Sequence, residues 1–251
     1  MRSSLYVNDV KITKDIPKGN YLSKLPVVRN LLKMDGLHFE KRVTFLVGEN
    51  GIGKSTLIEG IAVAMGFNPE GGTVNFNFAT NNSHSDLFNY LTVSRGYVPR
   101  KDGFFLRAES FYNVASNIDE LDSEPSFGAK VIASYGGVSL HKQSHGESFM
   151  ALVENRFSGN GLYILDEPEA ALSPMRLMRL MVCMQKLVNK NSQFIISTHS
   201  PILMTFPDAE VLEITKEGIK SVNYKGTEHF IVTKRFMDAP EKIIESLLGE
   251  N

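Results

Sequence analysis

Hydrophobic and polar positions divide the chain into regular and irregular stretches. From residue 144 onward, apolar runs of four or five residues alternate with segments of helical period. An earlier apolar and β-branched run at 43–47 precedes helically spaced apolar positions at 57–65. Because short β-branched strands that alternate with helices are typical of a parallel sheet covered on both faces, the pattern predicts an α/β fold with a mostly parallel central sheet.

The pattern predicts individual elements as well. In chain order they are strands at 9–12, 43–47, 74–78 and 104–106, a short helix near 110–116, a helix at 148–157, a strand at 162–165, a helix at 174–188, a strand at 194–197, a hairpin of 210–214 and 219–222, and closing helices near 229–237 and 240–248. Strands with turns over residues 1–47 predict an N-terminal antiparallel β region. Residues 66–103 and 119–142 carry turn residues and predict irregular structure.

The length of 251 residues suits one large α/β domain. We expect a single domain over 1–251. Its core is predicted at about 1–66 and 158–251, and a small, helical and variable subdomain at about 67–157.

One segment fits a phosphate-binding loop. The residues from Gly48 to Thr56 match G-x-x-x-x-G-K-[ST], between the predicted strand at 43–47 and the helical pattern at 57–65. Glycines permit the backbone to turn N–H groups towards an anion, and the N-terminus of the next helix favours negative charge there. We therefore predict binding of a nucleoside triphosphate. The residues placed in this site are Gly48, Asn50, Gly51, Gly53, Lys54, Ser55 and Thr56.

Two acidic residues end a second apolar strand. Asp166 and Glu167 follow the apolar residues 162–165 directly, which is the Walker B arrangement. We predict that Asp166 and the Ser55 hydroxyl hold Mg²⁺. We predict Glu167 and Lys54 as catalytic residues, the first polarising the attacking water and the second reaching the β- and γ-phosphates.

Two further polar segments surround this strand in the sequence. Residues 144–148 open a helix, whose small residues and free N–H groups suit a second phosphate contact. The spacing of His141 and His145 resembles a metal pair, but no third ligand of the usual kind is nearby. His199 follows the strand at 194–197, whose end opens on the same edge of the sheet as the phosphates.

Composition adds few constraints. The net charge is −1, so bulk electrostatics give no reason to expect nucleic acid, although four cations at Arg95, Arg100, Lys101 and Arg107 leave a local basic patch open. The chain has one cysteine, no signal-peptide pattern and no apolar run long enough for a bilayer. We expect a cytoplasmic protein without direct membrane insertion.

Together the four motifs resemble the ABC-type ATPase family, and the resemblance covers nearly the whole chain. They occur in that family's order, namely phosphate loop, signature, Walker B acids and switch histidine. Residues 143–147 are similar to the signature Leu-Ser-Gly-Gly-Gln, and residues 169–173 to the D-loop. Residues 66–72, 105–111, 143–148 and 167–174 are more closely similar to small, standalone bacterial ATPases of the AAA or ABC type.

The resemblance implies an ATP-dependent, head-to-tail homodimer that hydrolyses ATP with Mg²⁺. Each ATP would lie between the phosphate loop of one copy and the signature of the other. This arrangement implies that Ser144, Gly146 and Glu147 contact the nucleotide across the interface. It also implies that Glu167 is the general base and that His199 is catalytic, sensing the γ-phosphate and holding the water.

The chain departs from the family pattern at two motifs. His145 and Glu147 stand where transporter subunits have Gly and Gln. The Q-loop glutamine is absent, since the only glutamines are at 143, 185 and 193. Glu109, just beyond the predicted strand at 104–106, is the nearest replacement, and we place it in the predicted metal set with Ser55 and Asp166. No aromatic residue can be assigned to the adenine.

Several functions stay open at this point. DNA and a separate defence or stress-response effector are equally plausible partners. A transporter subunit is an alternative, against which the missing Q-loop glutamine argues. A GTP-dependent switch or a small-molecule kinase is an alternative of another class. Residues 189–192 superficially resemble the guanine-reading Asn-Lys-x-Asp, but Ser192 lacks the carboxylate.

Overall fold

The computed structural model describes residues 5–73, 85–108, 111–123 and 130–249. Its strands are β1 Val7–Ile12, β2 Leu37–His38, β3 Val43–Val47, β4 Leu91–Arg95, β5 Asp102–Arg107, β6 Gly161–Asp166, β7 Gln193–Ser197, β8 Glu210–Ile214 and β9 Ile219–Ser221. Its α-helices are α1 Pro26–Lys33, α2 Lys54–Ala64, α3 Phe111–Ser123, α4 His145–Arg156, α5 Pro174–Val188, α6 Pro201–Met204, α7 Glu228–Asp238 and α8 Pro240–Leu248.

Six strands form the central sheet in the order β5-β6-β7-β3-β8-β9. The first five strands are parallel, and β9 pairs antiparallel with β8 as the second strand of a hairpin. Parallel strands end on the same edge, so the segments that follow β3, β6 and β7 all begin at one edge of the sheet. We call this the carboxyl edge.

A smaller antiparallel sheet has the order β2-β1-β4. A buried side chain joins it to the central sheet. The Gln193 side chain accepts from the N–H groups of Tyr6 and Val7 at 2.8 and 2.9 Å and donates to the Val7 carbonyl at 2.9 Å. Gln193 is fully buried, and these three bonds satisfy its amide.

Both faces of the central sheet are buried, as its apolar strands predict. Along β6, Tyr163 and Leu165 face one core, which includes residues of α4 and α5. Leu162 and Ile164 face the other, which includes residues of α1 and α2. This alternation explains why β6 is apolar at every position before its terminal acid.

The structure confirms the predicted fold class. It also shows that the antiparallel region includes β4, which pairs with β1. The predicted elements from residue 162 onward match β6 to α8 within a few residues, and α4 begins three residues before the predicted 148. The sequence did not predict α1, β4 or the short α6, and β4 lies in a stretch expected to be irregular. The predicted strand at 74–78 lies outside the described residues, and the division into core and subdomain stays a prediction.

Candidate functional site

The phosphate loop, residues 48–56, connects β3 to α2 at the carboxyl edge. Gly48, Gly51 and Gly53 have φ values of 147°, 77° and 101°. A Cβ at Gly48 would lie 2.3 Å from the carbonyl oxygen of Ile214 in β8, so this position requires glycine for space as well as for conformation.

The loop presents unused hydrogen-bond donors. In the described part of the chain, the N–H groups of residues 49–53 donate to no other group. The N-cap residue of α2 is Gly53, so no side chain caps the first turn of this helix. The N–H groups of that turn are therefore available to bind an anion. Such a set of donors fits the phosphates of a nucleotide.

Lys54 is folded into the loop. Its Nζ donates to the carbonyl oxygens of Gly48 and Glu49 at 2.8 and 3.0 Å, and the residue is 4% exposed. Burial lowers the pKa of Lys54, whereas the nearby carboxylates of Glu167, Asp166 and Glu169 raise it. The ammonium group is therefore held beside the loop donors without a salt bridge of its own in the described residues.

Asp166 ends β6 and is buried. Its Oδ1 accepts from the Ser197 hydroxyl at 2.5 Å. Burial raises the pKa of Asp166, while the Ser197 bond, the charge of Arg107 and the nearby Ser55 hydroxyl lower it. A carboxylate beside a hydroxyl at a phosphate loop is the oxygen donor set that Mg²⁺ prefers, so Ser55 and Asp166 fit the predicted metal.

Arg107 is a site residue that motif reasoning assigned only to a basic patch. It ends β5 directly opposite Asp166. Its Nη1 donates to Glu59 of α2 at 2.5 Å, and its Nε lies 3.6 Å from Asp166 Oδ2. This contact depends on which strands are neighbours in the sheet, and the sequence carries no local signal for it.

Two other members of that predicted patch, Arg95 and Arg100, point to a different place from Arg107. Arg95 and Arg100 donate to the carbonyl oxygens of Ala64 and Met65 at 2.9 and 2.6 Å. Both guanidinium groups therefore cap the C-terminal end of α2, where unpaired carbonyls favour positive charge. The four cations do not form one basic surface.

Glu167 follows Asp166 in a left-handed conformation, with φ 48° and ψ 57°. Its N–H donates to the Ser197 carbonyl at 3.1 Å, which fixes the backbone to β7. Its carboxylate Oε1 lies 3.4 Å from His199 Nε2. The sequence-predicted acid and histidine are thus neighbours.

His199 is held from two sides. Its N–H donates to Glu169 Oε1 at 2.5 Å, and its Nδ1 lies 3.0 Å from Nε2 of His229 in α7. Burial lowers the pKa of His199 to about 4, and the charges of Lys54 and His229 act in the same direction. The sequence predicted neither Glu169 nor His229 as a partner of this residue.

The predicted signature residues lie at the start of α4. Glu147 accepts from the N–H and the hydroxyl of Ser144 at 3.0 and 2.6 Å, which lowers the pKa of Glu147. At Gly146 a Cβ would lie 2.8 Å from the Ala171 carbonyl, so α4 is in close contact with residues 169–173. Within the described ranges, no hydrogen bond or ion pair joins these three residues to the phosphate loop of the same chain.

The remaining candidates have different outcomes. Glu109 lies outside the described residues. Asn50 is exposed and Thr56 is half-buried in the loop. His141 Nε2 lies 3.1 Å from the Ser116 hydroxyl, and no cluster of three metal-ligating side chains occurs in the described parts of the chain.

No helix of the described residues is long and apolar enough to cross a bilayer.

The guanine-like segment is on the wrong side of the sheet. Residues 189–192 connect the end of α5 to the start of β7 and therefore lie at the edge opposite the carboxyl edge. A base attached to phosphates at the phosphate loop cannot reach them. This placement removes the sequence feature that favoured GTP.

The fold and the site have the arrangement of a P-loop nucleotide-binding domain. Two family models match the chain, each over less than half of its length. Residues 31–111 match a model described as "AAA domain", and residues 139–205 match "AAA domain, putative AbiEii toxin, Type IV TA system".

A curated relative supports the same class. The chain is similar to "Retron Vc95 probable ATPase" of Vibrio cholerae serotype O1 biovar El Tor, with 31% identity over 128 residues. The match covers 43% of this chain and 24% of that relative, so the chain spans about a quarter of the relative's length.

Solved structures share the fold. CbiO1 from Clostridium perfringens, part of the ABC transporter complex cbiONQ, has a TM-score of 0.50 at 16% identity, with 97% of this chain and 99% of that chain covered. An ATP-binding cassette of an ABC transporter has a TM-score of 0.51 at 15% identity, with 96% and 98% covered. These likenesses confirm the predicted fold and, with the sequence matches, the predicted resemblance.

Proposed function

We propose that the chain hydrolyses ATP with Mg²⁺ as a head-to-tail dimer and couples the cycle to a separate partner. The observation that carries this proposal is the carboxyl edge itself. Phosphate-loop donors, Lys54, the Ser55–Asp166 oxygen pair and the Glu167–His199 pair all lie there. The AAA and retron likenesses favour ATP hydrolysis over the other P-loop reactions.

The phosphate loop would hold the triphosphate. The N–H groups around Gly48, Asn50, Gly51 and Gly53 supply neutral donors, and Lys54 supplies the positive charge. Thr56, in the first turn of α2, adds a hydroxyl next to Ser55. Mg²⁺ held by Ser55 and Asp166 would neutralise negative charge on the phosphate oxygens. Glu109 is kept as a third candidate ligand from the sequence.

The Glu167–His199 pair would handle the water. A carboxylate can accept a proton from an attacking water if it stays ionised. The neutral His199 can donate one hydrogen bond to a phosphate oxygen or to Glu167 while it leaves that carboxylate charged. Lys54 lies close enough to lower the electrostatic cost of two adjacent acids.

A second copy would complete the site. Ser144, Gly146 and Glu147 make no bond to their own phosphate loop in the described residues, as expected of groups that act on the facing copy. The exposed start of α4 presents N–H groups and the Ser144 hydroxyl, which currently donates to Glu147. Reaching a phosphate would require Ser144 to exchange that bond.

The partner is proposed from the relatives. A retron ATPase and a toxin–antitoxin family model favour a defence-type effector as the partner. DNA stays an alternative, as does a transporter subunit, whose cassettes share only the fold. The cytoplasmic location and the single domain with a helical subdomain at 67–157 stay part of this proposal.

The release of inorganic phosphate tests the reaction class. We expect phosphate from Mg-ATP without any added acceptor, and a kcat/KM for ATP at least about tenfold above that for GTP, since residues 189–192 are out of reach of the base. A preference for GTP would favour the switch alternative. Turnover only with an added small-molecule acceptor would favour a kinase.

Changing Ser144 to Arg tests the facing copy. The residue is exposed, so we expect an intact fold and a Kd for ATP within about threefold of the wild type, with kcat lowered by about 10²–10³-fold because a donor to the developing charge is lost. Ser144→Thr, which keeps the hydroxyl, is the control and should retain most of the activity.

Mixing two inactive variants tests whether each active site is shared between the two copies of the dimer. Ser144→Arg and Lys54→Ala damage opposite halves of a composite site, so random pairing would rebuild one intact site in half of the dimers. We expect mixed proteins to recover about a quarter of wild-type activity. No recovery from the mixture would contradict a site shared between copies.

A further inference from the structure

Helix α7 brings a second histidine to the carboxyl edge. His229 Nε2 lies 3.0 Å from His199 Nδ1, and the two rings meet edge-on with centroids 4.7 Å apart. The residues are thirty positions apart in the chain, with the β8–β9 hairpin between them. A cavity of about 310 Å³ borders both histidines and Asn50 of the phosphate loop.

The start of α7 fixes the position of His229. The N-cap Thr227 is 1% exposed, its hydroxyl donates to the Tyr224 carbonyl at 2.7 Å, and its Oγ1 accepts from the Phe230 N–H at 3.4 Å. Tyr224 and Phe230 also meet edge-on at 5.2 Å. No residue within α7, Glu228–Asp238, is fully buried. The helix is therefore anchored at the end that carries His229.

The other nitrogen of His199 faces the predicted base. His199 Nε2 is buried, has no hydrogen-bond partner in the described residues, and lies 3.4 Å from Glu167 Oε1. Its ring is neutral near pH 7, because burial lowers the pKa of His199 to about 4. A neutral imidazole has one N–H, so only one of its two nitrogens can donate.

The contact between the histidines decides which nitrogen donates. If His199 Nδ1 carries the proton, Nε2 turns a lone pair towards the Glu167 carboxylate, which is repulsive. If His229 Nε2–H donates to Nδ1, the His199 proton must be on Nε2, where it can bond Glu167 or a phosphate oxygen. Glu167, Glu169 and Lys54 also lie near His199, and among the described residues only His229 is within hydrogen-bonding distance of Nδ1.

We propose that His229 is a positioning residue that holds His199 in its Nε2–H tautomer. This inference rests on the proposed function, in which His199 donates towards the terminal phosphate. His229 touches neither the phosphate loop nor the acids by a hydrogen bond in the described chain. It therefore acts through His199 alone. Because His229 belongs to α7, the Nε2–H tautomer of His199 depends on where α7 is placed.

Two substitutions separate a donor from an acceptor at position 229. His229→Gln keeps an N–H that can donate to Nδ1, whereas His229→Glu presents only acceptor oxygens when ionised. We expect kcat within about threefold of wild type for Gln and at least about tenfold lower for Glu, with the Kd for ATP within about threefold in both. Arg235→Gln, at an exposed residue of α7 that does not border this cavity, is the control and should match the wild type.

Histidine ¹⁵N NMR reads the tautomer without nucleotide. In the free wild-type and Gln proteins we expect the His199 proton on Nε2, and in the Glu protein a protonated Nδ1. His199 protonated on Nδ1 in the wild type would overturn the proposal, as would equal losses of kcat in Gln and Glu.

The same measurements keep the two proposals apart. A wild-type protein that releases no phosphate from ATP contradicts the proposed function, while the spectrum still decides the role of His229. In a His199→Gln background, His229→Glu should change kcat less than about twofold, because its effect is transmitted through His199. A full additional loss there would show an independent role and overturn the proposal.

Discussion

Replacing Glu167 with Gln is expected to lower steady-state ATP hydrolysis by about 10²–10⁴-fold, the range of a lost general base. The amide is nearly isosteric and keeps a hydrogen-bond acceptor beside His199, but it cannot take a proton from water. It also removes one negative charge from a site that contains Asp166 and Glu169, so ATP should bind at least as well. We therefore expect the ATP-bound dimer to accumulate, as measured by size-exclusion chromatography with light scattering.

The control for Glu167→Gln is Glu241→Gln. Glu241 is an exposed carboxylate in the first turn of α8, and its removal should leave turnover unchanged. A Glu167→Gln protein that stays monomeric at saturating Mg-ATP and still hydrolyses would exclude both the assigned base and the nucleotide-dependent dimer. Affinity purification of the same variant with ATP present would identify DNA, an effector or a membrane subunit as the partner.

Removing the Lys54 ammonium is expected to weaken ATP binding on the order of 100-fold. Each charge-assisted bond to a phosphate is worth roughly 1.5–3 kcal/mol, and about 1.4 kcal/mol corresponds to a factor of ten in Kd. Lys54→Ala and Lys54→Met should both show the loss in calorimetric titration with Mg-ATP. Met keeps the buried aliphatic volume, so agreement between the two variants assigns the effect to the charge.

Lys54 also contributes to the stability of the loop, and this effect must be separated from its effect on ATP binding. Its Nζ bonds the carbonyls of Gly48 and Glu49, so both variants should be less stable without nucleotide. Lys41→Ala, at an exposed lysine just before β3, is the matched control and should leave Kd and Tm unchanged. If Lys54→Met bound ATP within threefold of the wild type, the loop would not be the phosphate site.

The local sequence was sufficient to predict the motifs that lie at the ends of strands. The phosphate loop, Asp166, Glu167 and His199 each follow an apolar strand directly, and parallel strands necessarily bring such ends to one edge. Spacing and strand type therefore predicted that they lie at one edge, and the structure places Glu167 and His199 3.4 Å apart there.

Partners from other elements could not be predicted in this way. Arg107 meets Asp166 because β5 and β6 are neighbours, and His229 meets His199 because α7 returns across the carboxyl edge after the hairpin. Both depend on tertiary order rather than on a local pattern. The missed strand β4 has the same origin, because an exposed edge strand such as Leu91–Arg95 is fixed by pairing with β1 and carries little periodicity of its own.

The buried amide of Gln193 has a mechanical consequence. It attaches β1 to β7, which ends at Ser197, two residues before His199. Because β7 is also paired with β6 and β3, the N-terminal strand is attached to the middle of the central sheet rather than to its margin. The antiparallel layer and the strand that leads to the histidine therefore share one buried attachment point.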